Sequence, residues 1–223
     1  MGVDGIKTEA QLTSDGEVIL RFLPFVIIKG KRTLIQELNL DTIRQVKLEN
    51  GEPIPTLPEM FETFSDKIRY NFDIFKVETG KKIIKIAKEY DLIHKVEITK
   101  PVAHTKTADS LFKPLRKISK DVTLVCSFFS DKQISEDNYR LLEYMKELNV
   151  QVINLSHHRF NLEVFYQVKK AGFKFYLWSV LFKYFMRKYV NLSYRGQMVD
   201  GIFTNYSDKL VELRTGIILR NLG

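Results

Sequence analysis

The stretch that decides the fold is the opening one: Gly2-Val3-Asp4-Gly5-Ile6-Lys7-Thr8-Glu9-Ala10-Gln11-Leu12-Thr13-Ser14-Asp15-Gly16. Its middle, Gly5–Gln11, reads as a short strand, and side chains two apart on a strand share a face. Lys7 and Glu9 therefore stand on one side of it. Similar segments recur along the chain at Ile68–Phe75, Lys95–Thr99, Val122–Ser127, Val150–Ser156, Phe173–Val180 and Val199–Thr204. They are short, apolar and rich in β-branched or aromatic residues, as buried parallel strands are. Helical patterns lie between them: Pro58–Phe64, Thr79–Glu89, Ala108–Ile118, Glu136–Leu148, Leu162–Ala171 before a stop at Gly172, and Asp208–Arg214. Strands alternating with helices of this length predict a parallel sheet. The fold class expected is α/β, a TIM-type (β/α) barrel of seven βα units, one short of closure.

One region breaks the rhythm. Glu17–Lys29 reads as two strands around Pro24, and Leu34–Leu38 and Leu40–Leu48 read as short helices, together an insertion after the first strand. Nothing in the 223 residues reads as a linker, so a single domain, 1–223, is expected. Hydrophobic residues make up 44%, enough for a core of that size. No apolar run reaches the roughly 18 residues a membrane span needs. The lone Cys126 cannot close an internal disulfide, which favours a reducing, cytoplasmic setting. The net charge of +8 comes from Lys and Arg spread along the chain. That distribution reads as a solvated surface first and as attraction for phosphate second. No nucleic-acid recognition motif is present, so no specific nucleic-acid partner is expected.

Four stretches resemble one family, in its order. Gly2–Gly16 is similar to the second strand of the glycerophosphodiester phosphodiesterases, Gly-Ala-Asp-Gly-Ile-Glu-Leu-Asp-Val-Gln-Leu-Thr-x-Asp-Gly. Ile54-Pro55-Thr56-Leu57 with Glu59 resembles that family's helix entry. Ala171–Val180, with Trp178, resembles its Gly-Leu-Lys-Val-Tyr-Val-Trp-Thr-Val strand, and Val199-Asp200-Gly201-Ile202-Phe203-Thr204-Asn205 its closing strand. The resemblance implies the same barrel and the hydrolysis of a glycerophosphodiester to an alcohol and glycerol phosphate. It also implies a divalent metal, Mg or Ca, held by carboxylates, and two histidines acting as acid and base.

The chain departs from this pattern at the residues that carry the chemistry. The family's His-Arg-Gly strand and Pro-Glu-Asn-Thr helix align before Met1, so the resemblance describes an N-terminally shortened member. Phe22 and Leu23 stand where the second histidine's His-Asp pair belongs. Lys7 stands at the first metal carboxylate and Glu9 at the second, while Asp73 matches the third and Phe75 the family lysine. A Lys7–Glu9 pair is one way to fill the space of an ion.

The default site of such a barrel is the ring of strand C-termini. There the sequence places Glu9 and Asp73 as candidate metal ligands, opposed by Lys7. Gln11, Lys100, Trp178 and Asn205 are candidates for binding a glycerophosphodiester or phosphate. His157 and His158 are candidates for proton transfer, set against a reading in which both are simply exposed. Cys126, inside an apolar strand, reads as a buried inert thiol. Phe173–Val190 is aromatic and basic: either a surface for an anionic membrane or, the favoured reading, a strand followed by its covering helix. A barrel one unit short leaves edges near Ile6 and Ile202. Those edges are expected to be closed by the tail Gly216–Asn221 as an added strand, by homodimerisation, or by the insertion. Two functions follow: residual or altered phosphodiester hydrolysis, or a catalytically silent barrel that binds a phosphate-bearing ligand or a protein partner.

Overall fold

The computed structural model describes residues 2–102, 105–136 and 139–221. They group into two compact units. The first comprises Asp4–Lys100 and Lys113–Thr123, and the second the remaining described residues.

In the first unit, β1 (Gly5–Leu12) runs parallel to β5 (Arg69–Ile74), and β5 runs parallel to β6 (Val96–Pro101). The register sets Glu9 opposite Asp73 and Lys7 opposite Asn71. Period-two alternation puts Tyr70, Phe72 and Ile74 on the helix-covered face, where all three are buried. There Phe61, from α2 (Leu57–Phe64), packs edge-on against Tyr70 at 4.9 Å between ring centroids. α2 starts where the sequence says it should. Thr56 caps it, and the Glu59 carboxylate reaches back to the Thr56 N–H at 2.8 Å, completing a capping box. Gly5 is required by close approach, since a Cβ there would lie 2.8 Å from the Arg69 carbonyl oxygen.

The insertion differs in detail from its sequence reading. β2 (Val18–Leu20) and β3 (Phe25–Ile28) are the two strands expected around Pro24. β2 pairs antiparallel with Ala10–Leu12 of β1, so the insertion covers the C-terminal half of that edge. β3 pairs with a further strand, β4 (Lys31–Leu34), which the charged Lys31-Arg32 did not advertise. Leu34–Leu38 shortens to a 3-10 turn at Ile35–Glu37, and Leu40–Leu48 to α1 (Leu40–Arg44). Ile19, Val26, Ile35, Ile43 and Ile54 form a separate core beneath this region.

In the second unit, β7 (Thr123–Phe128), β8 (Val152–Ser156), β9 (Lys174–Trp178) and β10 (Gly201–Ile202) are consecutive parallel neighbours. Along the chain α3 (Val77–Glu89) follows β5 and α4 (Thr105–Ile118) follows β6. α5 (Lys132–Ser135) and α6 (Arg140–Glu147) follow β7, α7 (Leu162–Lys170) follows β8, and α8 (Lys183–Val190) follows β9. With α9 (Ser207–Asn221) after β10 and α2 after β1, the described residues carry seven βα units, the number expected. Asn161 caps α7 by accepting from the Glu163 and Val164 N–H groups, and Gly172 ends it at a φ of +91°. The helix expected over Glu136–Leu148 starts at Arg140 instead, and residues 137–138 lie outside the described ones. The tail Gly216–Asn221 is not a strand but the last turns of α9. Once Ser207 and Asp208 have started that helix, each added residue gains a backbone hydrogen bond, so the apolar Ile217-Ile218-Leu219 propagates it.

Candidate functional site

The first unit turns a polar strand face away from its helices. Arg69, Asn71, Glu97 and Thr99 form a closed layer on it. Arg69 donates to Glu97 Oε1 through Nε at 2.8 Å and through its terminal nitrogen at 2.7 Å. Asn71 Nδ2 donates to Glu97 Oε2 at 2.9 Å, and Thr99 Oγ1 donates to Asn71 Oδ1 at 2.8 Å. Asn71, Glu97 and Thr99 are buried. Every bond of this layer is made inside the protein, so its role is to fix the β5–β6 register rather than to react.

One step toward the strand C-termini, the Lys7 ammonium makes an ion pair and hydrogen bond with Asp73 Oδ2. Strand geometry explains the reach: Lys7 lies two residues before Glu9, and Glu9 is the register partner of Asp73. The pair is one-quarter exposed, at 21% for Lys7 and 28% for Asp73. Asp73 Oδ1 is buried without a protein hydrogen bond. Lys100, at the end of β6, donates to the Phe75 carbonyl at 3.1 Å and holds its ammonium 5.6 Å from the Phe75 ring centroid. Burial lowers its pKa, against the pull of the Asp73 charge. Lys7 alone pairs with the Asp73 carboxylate, while Lys100 feels its charge from the next strand and supplies a cation beside Phe75. Gln11 is turned aside, its amide nitrogen donating to the Arg21 carbonyl of the insertion at 3.4 Å.

Glu9 and Asp73 do not fit the divalent ion that the resemblance implies. Mg and Ca take six or more oxygen ligands, and the carboxylates among them must be free to face the ion. Here one of two carboxylates already holds an ammonium. Among the described residues no three of His, Cys, Asp and Glu come together at a metal-holding distance.

The second unit has its own strand-end cluster. His157 and His158 occupy a 3-10 turn after β8 and split in character, His157 buried and His158 exposed. The His157 ring lies 3.9 Å from that of His158, 4.7 Å from Phe185 and 6.1 Å from Tyr189. Its Nδ1 is buried without a partner, and burial, then the His158 and Lys188 charges, lower its pKa. Each of these effects favours the neutral ring. On the adjoining strands, Ser156 is the register partner of Trp178, whose Nε1–H is buried without an acceptor. Asn154 donates to Ser127 Oγ at 3.4 Å and leaves Oδ1 without a partner. Asn205 is exposed beyond β10. Cys126 is fully buried, and desolvation pushes its thiol pKa well up, as expected of an inert thiol.

Sequence reasoning missed the Arg69–Asn71–Glu97–Thr99 layer. Its signal, polar residues two apart in strands 69–74 and 96–101, is visible in the sequence but has meaning only once the strands are in register.

Parallel strands joined by helices, with polar groups gathered at the strand C-termini, define the class: a β/α barrel protein with a strand-end site. The comparisons narrow it. No family model matches the chain. A glycerophosphodiester phosphodiesterase of Caldanaerobacter subterraneus subsp. tengcongensis is 25% identical over 232 aligned positions, covering 96% of this chain and 86% of that protein. An Agrobacterium tumefaciens structure assigned as a glycerophosphoryl diester phosphodiesterase superposes with a TM-score of 0.79 at 15% identity, covering 98% of this chain and 88% of that one. An Oleispira antarctica phosphodiesterase, in complex with its product sn-glycerol-3-phosphate, superposes with a TM-score of 0.71 at 16% identity, covering 97% and 86%. The fold is that of these phosphodiesterase barrels, and in sequence the chain is similar to the Caldanaerobacter subterraneus glycerophosphodiester phosphodiesterase.

Proposed function

We propose that this barrel binds a phosphate-bearing ligand of the glycerophosphodiester kind through lysine ammonium groups in place of a metal ion, with hydrolysis residual or lost. The observation that carries this reading is the Lys7–Asp73 ion pair on the polar strand face. An ammonium there brings positive charge and N–H donors, the groups that bind a phosphate, with one donor already given to Asp73. It does not supply the open coordination positions by which a metal polarises phosphorus. Lys100 adds a second cation whose partly desolvated state strengthens its attraction for an anion. The bound glycerol phosphate of the Oleispira antarctica relative supports the choice of ligand class. Phe22 and Leu23, aligned with a catalytic histidine and its aspartate, have no exchangeable proton to offer. A cytoplasmic setting belongs to the same proposal. It is supported by the single buried Cys126, and among the described residues no helix is long and apolar enough to cross a membrane.

A second reading has one observation in its favour: Asp73 Oδ1 is buried and unpartnered, so with Glu9 it is a remaining oxygen site for a weakly held cation and residual turnover. One experiment separates the two. Thermal unfolding is followed with sn-glycerol-3-phosphate, with EDTA and with Mg or Ca, beside a metal-titrated hydrolysis assay on glycerophosphodiesters. The lysine reading expects ligand stabilisation that survives EDTA and is lost in Lys7→Ala and Lys100→Ala. At a ligand concentration a hundredfold above Kd that stabilisation is about 2.7 kcal/mol. Metal-dependent turnover abolished by Glu9→Ala and Asp73→Ala would overturn it.

A further inference from the structure

Large apolar side chains exposed on a protein surface are ordinary when scattered and informative when they share one edge. Among the described residues of the second unit, six are exposed: Phe129, Leu162, Phe182, Tyr184, Met198 and Tyr206. Five of the six lie just past the C-terminal end of a strand. Phe129 follows β7, Leu162 starts the helix after β8, Phe182 and Tyr184 start α8 after β9, and Tyr206 precedes α9 after β10. Because β7, β8, β9 and β10 are parallel neighbours, these positions fall along one edge of the unit. Only Met198 lies elsewhere, ahead of β10. Each of the four strand-to-helix connections thus shows solvent a large apolar side chain.

The charge carried by the helix that the most exposed pair opens is of one sign. Phe182 is 65% exposed and Tyr184 74%. The helix they open, α8, carries Lys183, Arg187 and Lys188 and no acidic residue, while its opposite face buries Met186 and Tyr189. Lys183 and Arg187 are four apart, on the same exposed arc. One contact offsets part of this charge: Lys183 meets Glu212 at 3.1 Å, with the partners 47% and 68% exposed. On α9 the Lys209 ammonium lies over the Tyr206 ring at 4.3 Å. The chain as a whole carries +8.

We propose that this edge of the second unit rests on an anionic phospholipid surface, with Phe182 and Tyr184 entering the headgroup layer and Lys183, Arg187 and Lys188 facing its phosphates. A protein partner is the less suited occupant. The apolar side chains protrude from four connections with charged residues of both signs between them, so the charge-depleted centre of a protein interface is missing. Protruding aromatics beside Lys and Arg are the pattern that a headgroup layer accepts, because each ring and each cation finds its own depth. The inference stands on the second unit alone and is independent of how the first unit treats phosphate.

Co-sedimentation of the full chain with phosphatidylcholine vesicles, with and without phosphatidylserine, tests it. The expected result is partition onto the phosphatidylserine vesicles at low salt, with retention falling as salt shortens the screening length. The double variant Phe182→Ser, Tyr184→Ser and the charge variant Arg187→Glu are each expected to weaken partition about tenfold or more. Ile27→Ser, an exposed apolar position on the other unit's hairpin, is expected to leave it unchanged. All these positions are exposed, so matched melting temperatures verify folding. No partition, equal partition onto neutral vesicles, or partition indifferent to Phe182, Tyr184 and Arg187 would each overturn the proposal.

Discussion

Replacing Lys7 by methionine keeps the length of the side chain and removes only its ammonium. Two unit charges about 4 Å apart attract by about 4 kcal/mol at an effective dielectric of 20. Desolvation of both groups returns much of that. Fully exposed pairs retain about 0–1 kcal/mol, and breaking a fully buried pair costs about 3–5 kcal/mol. At 21% and 28% exposure, Lys7 and Asp73 fall between these limits. We expect Lys7→Met to lower stability by about 1–2 kcal/mol, or about 2–8 °C in Tm for a chain of this size. The assay is a double-mutant cycle of Lys7→Met and Asp73→Asn by urea denaturation, with the coupling energy read at low and high salt. A coupling of about 1 kcal/mol that shrinks modestly with salt fits a partly desolvated pair. A coupling below about 0.3 kcal/mol, within the scatter of independent sites, would refute the placement of Lys7 on Asp73.

Three more predictions concern the surroundings. Glu97→Ala leaves Arg69 and Asn71 Nδ2 without their acceptor and is expected to cost about 2–4 kcal/mol by chemical denaturation. A loss under about 0.5 kcal/mol would show that the layer does not hold the β5–β6 register. Gly5→Ala drives a Cβ against the Arg69 carbonyl and is expected to destabilise by about 1–3 kcal/mol, read as a lower Tm. His157 has a folded pKa below its unfolded value of 6.5, so below that pH the unfolded chain binds a proton that the folded chain refuses. Its stabilisation is therefore present above pH 6.5 and is lost as pH falls toward the depressed folded pKa. Replacing it in His157→Phe should flatten the Tm-versus-pH curve in that window, and an unchanged slope would contradict the assigned burial.

Most of the fold was legible because it rests on local chemistry. Short apolar strands at Gly5–Gln11 and Ile68–Phe75, the proline that opens Pro58–Phe64 and the Gly172 stop are read within a few residues of chain. β4 escaped because three of its four residues, Lys31, Arg32 and Thr33, are charged or polar, and only pairing with Phe25–Ile28 makes it a strand. The tail was misread because Ile217-Ile218-Leu219 suits either a strand or a helix, and the choice was made by the helix start at Ser207. The site was less legible because its geometry is set between strands. That Lys7 stands at a ligand position was visible, yet the sequence suggested Glu9 as its partner, and only the register between strands brings Asp73 to it. Lys100 was named as a binding residue, but its place beside Phe75 depends on a chain segment 25 residues away. His157 read as exposed next to His158. Its burial is made by Phe185 and Tyr189, from a helix about 30 residues on, beyond any local pattern.

The central claim, that lysine rather than metal provides the positive charge at this strand-end face, is tested most directly by isothermal titration of the metal-stripped protein. Mg or Ca is titrated first, and sn-glycerol-3-phosphate second, with and without the metal. Neither metal is expected to give saturable heat, and the phosphate-ligand affinity is expected to be unchanged by metal and lost in Lys7→Ala. Stoichiometric metal binding that Asp73→Ala abolishes, with ligand binding that requires the metal, would contradict it.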